Sequence, residues 1–472
     1  MTSEPTSPGS LHPPTVPPSA RALPLWLTLL RFTRNPLRSL PRAVYEQDIV
    51  AYGRKRPLVA WVTGSDLIEQ VLVKRTDVFA KTRLDRRVLK PLIGTGLLTA
   101  QGEHWRWQRR IASPLFRPSD ALAYVPVMVD AAHEQIARWR TKGAAHVAPI
   151  EFDMTQTTFA VIARTILAGI DEREAGEIQR TGYQFIRPIM WSVASALMQA
   201  PEHWWYPGKP QMMRAAAENR AVVQRLLDKR RAAGIEGEDL VARMLRARNP
   251  ETGAPMSDEE LIDNLGTFLL AGHETTAKAL TWTLYLLARS QYWQERVREE
   301  VESVTGGRGV CAGDVARLAV TQRVLKESMR LYPPVPAMTR VNLQAAELGH
   351  IRLPEPALIV IPVFAVHRHK ATWPDPDGFD PDRFLPEREA QLKRTQFMPF
   401  GAGPRVCIGA AFAMTEATSI LATLLQHVRF TWDGIHKPEP ISRITLHPKG
   451  GMPLKVGMLE AMRPAMAKES RN

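Results

Sequence analysis

One of the two cysteines of this chain, Cys407, lies in a segment whose other residues could help it to bind a ligand. Residues 400–409 read Phe-Gly-Ala-Gly-Pro-Arg-Val-Cys-Ile-Gly, and an apolar helical pattern follows over 410–427. A thiolate at this place would lie near a helix N-terminus, where free N–H groups and the helix dipole favour an anion. We therefore expect Cys407 to act as an anionic ligand.

The neighbours of Cys407 indicate what such a site would contain. Gly401, Gly403 and Gly409 would let the backbone come close to a flat molecule, which a Cβ would obstruct. Arg405 could neutralise a carboxylate of that molecule. Taken alone, Cys407 is better explained as a buried free cysteine in a glycine-rich turn, but the complete spacing Phe-x-x-Gly-x-Arg-x-Cys-x-Gly leaves that explanation little weight.

This spacing resembles the cysteine loop of the cytochrome P-450 superfamily of haem-thiolate monooxygenases. The resemblance implies haem b (iron protoporphyrin IX), with Cys407 as the iron ligand and Phe400, Gly401, Arg405 and Gly409 in contact with the cofactor. An axial thiolate pushes electron density onto the iron and favours O–O cleavage. Three further segments, in the expected order, extend the resemblance over nearly the whole chain beyond its N-terminal tail.

The first of these segments is Ala-Gly-His-Glu-Thr-Thr at 271–276, inside an apolar helical pattern over 259–290. A mid-helix glycine costs about 1 kcal/mol, and a neighbouring threonine can bend a helix, so we predict a kink. Thr275 could donate a hydrogen bond where O2 is reduced, and Glu274 could help to relay protons. A buried helix that tolerates a glycine explains the pattern equally well; the resemblance to the family's central helix favours the catalytic pair. We expect His273 to be satisfied by local hydrogen bonds.

The second segment places Glu327 and Arg330 three residues apart before Pro333-Pro334. An exposed helical ion pair of this kind is worth roughly 0.2–0.5 kcal/mol. The resemblance instead implies a buried pair, joined by Arg383 from a proline-rich loop. Its role would be architectural rather than catalytic.

The third segment, His-Trp-Arg-Trp-Gln-Arg-Arg at 104–110, sets Trp105 and Arg109 on one helical face. The indole N–H and the guanidinium could both donate to a haem propionate, and His104 could contribute as well or lie at the surface. The resemblance adds Arg340 to this set and places an apolar substrate pocket on the distal side of the haem. The pocket residues would be Leu98, Phe268, Ala271, Val335, Ala337, Met338 and Met452, although each could simply belong to the core. We expect a lipophilic substrate.

Bulk properties limit the remaining possibilities. The chain has 472 residues, a net charge of +14 and two cysteines, so no disulfide framework is expected and a reducing cytoplasm is the default. The basic charge favours an acidic electron donor, a ferredoxin or flavodoxin with its NAD(P)H reductase, over nucleic acid, for which no motif is present. A diffusely solvated surface is the alternative. Candidate contacts are Arg106, Arg110, Lys393 and Arg394.

The organisation of the chain predicts one catalytic domain. Residues 1–21 are expected to form a disordered Pro/Ser/Thr-rich tail, 22–460 a single mainly α domain with small mixed β-sheets, and 461–472 a polar tail. The apolar run at 23–30 is far shorter than the ~20 residues of a membrane span, so membrane contact would be at most peripheral. Strands are expected at 57–63, 357–364 and around 441–456, in one small sheet. We expect a monomer.

The sequence therefore predicts a cytochrome P-450 monooxygenase that hydroxylates or epoxidises a lipophilic molecule with O2 and external electrons. Two alternatives remain open. One is an isomerase or dehydratase of the same fold that needs no electron donor. The other is a non-catalytic haem-binding sensor, against which the acid–alcohol pair at 274–275 argues.

Overall fold

The computed structural model describes residues 11–19, 31–52, 58–166, 170–232, 234, 239–249 and 251–459. The described chain is mainly helical, as predicted. Its α-helices are α1 (Ser65–Glu69), α2 (Arg83–Ile93), α3 (Gly102–Ala112), α4 (Pro118–Ala123), α5 (Val125–Arg140), α6 (Ile150–Thr165), α7 (Glu172–Ile186), α8 (Ile189–Leu197), α9 (Lys209–Ala232), α10 (Leu240–Arg246), α11 (Asp258–Arg289), α12 (Gln291–Thr305), α13 (Ala319–Leu331), α14 (Val363–Val366), α15 (Pro386–Glu389) and α16 (Ala410–His427).

The strands are short and form small sheets. They are β1 (Ile49–Tyr52), β2 (Leu58–Val62), β3 (Phe79–Ala80), β4 (Ala145–Pro149), β5 (Met338–Asn342), β6 (Ala346–Leu348), β7 (Ile351–Leu353), β8 (Ala357–Ile361), β9 (Val428–Thr431), β10 (Pro440–Ser442), β11 (Leu446–Pro448) and β12 (Pro453–Met458). The largest sheet has the order β1-β2-β8-β5-β3, and its β2–β8 pair is parallel. The predicted third strand region does not join it, because β12 pairs with β4 and β9 while β10 pairs with β11.

Helix α11 forms the centre of the molecule. Ser257 caps it together with Glu260 in a capping box, which satisfies free N–H groups of its first turn. Most of its residues are buried, because α6, α13 and α16 pack around it. The backbone is assigned as helix through Gly272, from Asp258 to Arg289. A Cβ on Gly272 would come within 2.8 Å of the Ile162 side chain, so the glycine allows α6 and α11 to pack closely.

Part of the N-terminal tail is ordered, in contrast to the expectation for 1–21. Val16 is buried, and the Pro14 carbonyl accepts a hydrogen bond from the Tyr332 hydroxyl at 2.6 Å. Leu11 forms a β-bridge with Phe379. One buried side chain and two contacts of the backbone thus hold residues 11–19 against the domain, although the composition of the tail does not suggest it. Residues 1–10, 20–30 and 460–472 lie outside the described part of the chain.

A membrane-crossing helix was not found in the described ranges, where every helix is too short or too polar for that purpose.

Candidate functional site

The loop that carries Cys407 is held by backbone contacts. The Cys407 N–H donates to the Phe400 carbonyl at 2.9 Å, which closes the loop before α16 begins. Gly401 and Gly403 have φ values of 77° and 72°, in the left-handed region that glycine adopts without strain. A Cβ on Gly403 would overlap the Leu72 carbonyl, so the close approach that requires this glycine is to protein rather than to a ligand.

The Cys407 thiol lies in a recess. Its side chain is exposed, and yet burial by surrounding atoms raises the pKa of the thiol, against the Gly409 N–H and the Arg109 charge, which lower it. A sulfur that is exposed and yet surrounded by protein atoms lines a cleft rather than the outer surface. The second cysteine, Cys311, is also exposed but belongs to a 3₁₀ turn before α13.

A cluster of cations stands beside this loop. The Arg405 guanidinium lies over the Trp105 ring, 4.1 Å from its centroid, and that of Arg109 lies 5.7 Å from the same ring. Arg405 Nη1 donates to the Ala100 carbonyl at 2.8 Å. Arg340 on β5 is buried and donates to the Thr339 carbonyl at 2.7 Å. The structure thus brings Trp105, Arg109, Arg340 and Arg405 together. That they bind the haem propionates stays a prediction.

These arginines lack acidic partners. Within the described ranges, no carboxylate lies within ion-pair distance of Arg109, Arg340 or Arg405. Burial first, and then the charges of Arg340 and Arg109, lower the pKa of Arg405 to about 10. Lys81, which the sequence analysis missed, joins the cluster; burial lowers its pKa to about 8, with Arg405 and Arg340 acting in the same direction and Asp85 opposing. Asp85 offsets only part of the positive charge of these four buried and half-buried cations, and excess charge of this kind is costly, so the cluster is suited to an anionic ligand.

His104 does not belong to the cluster. Its Nε2 lies 2.6 Å from the Gln108 amide nitrogen, and its Nδ1 lies 3.5 Å from Glu260 Oε1. Neighbouring residues of a helix point about 100° apart, so His104 lies on a face adjacent to the one that carries Trp105 and Arg109. A contact of His104 with the cofactor stays a prediction.

Helix α11 is exposed at one place in its otherwise buried middle, beside the predicted acid–alcohol pair, and we call this place the opening. Ala271 is exposed in the middle of a helix whose flanking turns are buried. Thr275, one turn later, is half-buried, and its hydroxyl donates to the Ala271 carbonyl at 2.8 Å. His273 is held locally, with Nδ1 2.5 Å from the Leu269 carbonyl oxygen, as predicted. Thr275 and Ala271 therefore line the same opening.

Glu274 points into a polar cluster that the sequence analysis did not foresee. Its Oε1 accepts from the Thr445 hydroxyl at 2.9 Å and lies 3.1 Å from His447 Nε2. Burial by itself raises the pKa of Glu274, but the hydrogen bond and charge of His447, followed by the charges of Lys278 and His273, lower it to about 2. Glu274 is therefore a carboxylate at neutral pH. No spacing in the sequence linked 274 with 447, since the two positions meet only through folding.

The structure brings the three predicted structural residues together, with Glu327 and Arg330 buried and Arg383 half-buried. Both carboxylate oxygens of Glu327 accept from Arg330, at 2.6 and 2.7 Å, and both side chains are fully buried. Arg383 Nε lies 3.6 Å from Glu327 Oε1. Arg330 also donates to the Gly378 carbonyl at 2.8 Å. The trio thereby fastens α13 to the proline-rich segment that leads to the cysteine loop.

The seven predicted pocket residues divide into two groups. Leu98, Ala271 and Ala337 are exposed and Val335 and Met338 are half-buried, which is compatible with a cleft. Phe268 is buried and stacks on Phe116, 5.6 Å between ring centroids. Met452 is 1% exposed within the main core, and its carbonyl accepts from the Ile150 N–H, so its assignment to the pocket is corrected. Phe116 was missed, because it lies outside every motif.

The donor set fits one kind of ligand. An accessible thiol, an unneutralised cation cluster with an indole, and a cleft lined by small apolar residues match an iron porphyrin with two carboxylates. Cys407 would bind the metal, and the cations would bind the carboxylates. The cluster is joined to the cysteine loop through its backbone, since Arg109 Nη1 donates to the carbonyl of Val406, the residue before Cys407, at 2.9 Å.

Comparisons with known proteins agree with this site. The cytochrome P-450 family model matches residues 17–454. The chain is 34% identical to cyclooctatin synthase of Streptomyces melanosporofaciens, with 93% of each chain covered. It is 32% identical to cyclooctat-9-en-7-ol 5-monooxygenase of the same organism (90% of this chain, 89% of the relative) and 30% identical to pentalenene oxygenase of Streptomyces avermitilis (88% and 92%).

A solved structure supports the same assignment. The crystal structure of a cytochrome P-450 haem domain superposes with a TM-score of 0.80 at 25% identity, covering 95% of this chain and 99% of the other. The match of the family model over nearly the whole chain and the relatives at 30% identity or more agree with the fold and with the haem-compatible donor set. This chain therefore belongs to the cytochrome P-450 family and is an oxygen-incorporating oxidoreductase of the monooxygenase type.

Proposed function

We propose that this chain binds haem b through the Cys407 thiolate and inserts one oxygen atom of O2 into a lipophilic molecule, by hydroxylation or epoxidation. The observation that carries the proposal is the accessible thiol beside arginines that have no carboxylate partner in the described structure. When bound, haem supplies the iron at which O2 is activated. Trp105, Arg109, Arg340 and Arg405 would bind its propionates, and Phe400, Gly401 and Gly409 would contact the ring.

Two residues of α11 would manage protons. The Thr275 hydroxyl lies at the opening beside exposed Ala271. When this hydroxyl releases the Ala271 carbonyl, it can donate a hydrogen bond to a molecule in the opening. Glu274 is ionised and can accept a proton from a neighbouring acid before passing it on. Glu327, Arg330 and Arg383 would keep the cysteine loop in place without taking part in the chemistry.

The substrate would be held mainly by apolar burial. Leu98, Phe268, Ala271, Val335, Ala337 and Met338 offer no charged group. The names of two relatives, cyclooctat-9-en-7-ol 5-monooxygenase and pentalenene oxygenase, denote uncharged molecules. An uncharged, largely hydrocarbon substrate is therefore the class that we infer.

Electrons would come from a separate acidic protein, a ferredoxin or flavodoxin with its NAD(P)H reductase. The net charge of +14 and the exposed Arg110 and Arg394 support such a partner. Arg106 and Lys393 contribute less, because Glu103 and Asp66 already pair with them. A reducing compartment such as the cytoplasm would keep Cys407 a thiol. Turnover that depends on the electron donor distinguishes the monooxygenase from an isomerase or dehydratase.

The haem assignment is tested by optical spectra of Cys407→Ala and of its matched control, Cys311→Ala. We expect the carbon monoxide complex of the ferrous parent and of Cys311→Ala to have the red-shifted Soret band of a thiolate-bound haem, and Cys407→Ala to lose it. An unchanged band in Cys407→Ala would exclude Cys407 as the ligand. Titration of the ferric parent with pentalenene, progesterone and dodecanoic acid, followed by the shift to high spin, then tests the substrate class.

A further inference from the structure

Five polar side chains from three elements meet next to α11. They are Glu151 of α6, Glu274 and Lys278 of α11, Thr445, and His447 of β11, and we call them the His447 cluster. His447 Nδ1 lies 3.0 Å from Glu151 Oε1. Its Nε2 is hydrogen-bonded to the Thr445 hydroxyl at 3.0 Å and lies 3.1 Å from Glu274 Oε1. Lys278 Nζ donates to Glu151 Oε1 at 2.8 Å. The imidazole ring therefore bridges two carboxylates.

The backbone on both sides of His447 is held in place. Trp282 Nε1 donates to the Leu446 carbonyl at 3.0 Å, and the Leu446 N–H donates to the Pro334 carbonyl at 3.0 Å. Strand pairing sets His447 opposite Ile441. Because these bonds fix the strand against α11, the ring is kept between its two carboxylates rather than meeting them by chance.

Exposure increases from Glu274 outward. The side chain of Glu274 is 9% exposed, that of His447 20% and that of Glu151 21%. His447 and Glu151, each about one-fifth exposed, are therefore the carboxylate and ring of the cluster that reach solvent. The cluster thus leads from solvent to the carboxylate that neighbours Thr275.

The reaction requires such a connection. Monooxygenation combines the substrate R–H with O2, two electrons and two protons, and yields R–OH and water. The electrons come from the reduced ferredoxin or flavodoxin proposed above, whereas both protons must be drawn from solvent in every turnover. Glu274 is buried, so an exchangeable group must stand between it and water.

We propose that His447 is that group: it takes protons from water at the Glu151 end of the cluster and passes them through Nε2–H to Glu274. In each step the doubly protonated ring loses its Nε2–H as an O–H bond forms on Glu274, which leaves one proton on Nδ1. The ring then rotates in place to turn that N–H toward Glu274, and the other nitrogen takes the next proton from water. His447 acts through Glu274 and is a positioning and relay residue rather than a catalytic one. The proposal rests on the monooxygenase function above.

The electrostatics of the cluster agree with this role. The groups that face His447 are Glu151 from α6, Glu274 and Lys278 from α11, and the Thr445 hydroxyl; His273 lies behind Glu274. His447 contributes most to lowering the pKa of Glu274. When the ring gives up its proton, Glu274 loses that stabilisation and becomes a better base, which favours transfer within the pair.

Infrared pH titration of Glu274 tests the electrostatic interaction between His447 and Glu274 without substrate or electron donor. The carboxyl band of Glu274 is identified in the holoenzyme as the difference between the parent and Glu274→Gln. We expect its titration to move to higher pH by about one unit or more in His447→Gln, because an opposite charge is removed, and to stay unchanged in the matched control His436→Gln. An unchanged titration in His447→Gln would overturn the proposal.

The yield of product per electron pair consumed distinguishes a proton relay through His447 from an effect of its positive charge alone. We compare the product formed per NAD(P)H consumed, with pentalenene, in the parent, His447→Gln, His447→Lys and His436→Gln. Lysine retains a positive charge but holds its proton at neutral pH, so we expect both His447 variants to lose coupling by about tenfold and the control to match the parent. Normal coupling in His447→Lys would show that only charge matters, and would overturn the proposal.

The proposed function and this inference fail in different ways. A parent that lacks the thiolate–haem spectrum, or that shows no oxygenation at all, counts against the proposed function. If the parent and the His447 variants form the same amount of product per NAD(P)H, the result counts against the relay alone and leaves the proposed function intact. Glu151→Gln adds a test of the outer end of the cluster, where we expect coupling to fall in the same direction.

Discussion

Arg109 Nη1 donates to the carbonyl oxygen of Val406 at 2.9 Å and so joins α3 to the residue before Cys407. The same guanidinium faces the ring of Trp105. One side chain thus orders the cysteine loop and belongs to the cation cluster that we assign to the haem propionates. Loss of this side chain should weaken both functions.

Arg109→Met is expected to release haem faster than the parent. A hydrogen bond to a charged group contributes about 1.5–3 kcal/mol, which corresponds to roughly 10–100-fold in the rate of loss. The measurement is haem transfer from the ferric protein to excess apomyoglobin. Arg110→Met, at an exposed neighbouring position, is the matched control and should resemble the parent. Equal rates for Arg109→Met and the parent would remove Arg109 from the propionate site.

Thr275→Ala is expected to uncouple electron use from product formation. Its hydroxyl is the donor at the opening of α11, and without it about tenfold less product should form per NAD(P)H, while electron consumption continues. Thr283→Ala is the control, because its hydroxyl makes the same type of bond to a carbonyl four residues earlier but is buried. Full coupling in Thr275→Ala would refute the role assigned to this hydroxyl.

Glu327→Gln is expected to destabilise the protein strongly. The change leaves Arg330 charged and fully buried, and breaking a buried pair from one side costs about 3–5 kcal/mol. Glu389→Gln, which breaks a partly exposed pair with Lys326, should cost about 0–1 kcal/mol. The free energy of unfolding in urea measures both. A small effect of Glu327→Gln would mean that this trio does not hold the loop.

Glu416 on α16 makes stability depend on pH. It is fully buried, its carboxyl oxygens have no hydrogen-bond partner among the described residues, and burial raises its pKa to about 8 despite the nearby Thr276 hydroxyl. The carboxyl is neutral in both states below its ordinary pKa. Between that value and about 8, only the unfolded chain ionises, so stability falls as pH rises.

Glu416→Gln should therefore be more stable than the parent at pH 8 and similar to it near pH 4.5. A difference on the order of 4 kcal/mol is expected at pH 8 from the linkage between pKa and stability. Urea unfolding of both proteins at the two pH values measures it. A difference that does not grow with pH would show that Glu416 is hydrated or paired in the folded protein.

Several elements were predictable because their signals are local. The α16 helix has the predicted bounds 410–427, since its apolar pattern follows a glycine and ends before a β-branched strand. Trp105 and Arg109 share a helical face by spacing alone, and Glu327 meets Arg330 for the same reason. In each case the residues lie within one helical turn, so backbone geometry brings them together before any tertiary contact forms.

Other expectations failed where packing decides. The sequence indicates no packing role for Gly272, whereas in the structure this glycine allows the close approach of Ile162 on α6. Met452 fitted a pocket residue by its apolar character, but the β4–β12–β9 sheet buries it in the core. An apolar residue is equally suited to a cleft and to a core, and its own sequence neighbours do not distinguish the two.

The sequence by itself determined the chemistry that can take place: a thiolate loop, an acid next to an alcohol, and arginines at fixed intervals from a tryptophan. Only the tertiary structure decided which of these groups meet and what charge they carry. His447 reaches Glu274 across 173 positions of sequence, and Lys81 reaches Arg405 across more than 300. Such pairs depend on how helices and strands pack, because pKa and proton transfer depend on distances of a few ångströms that no short motif specifies.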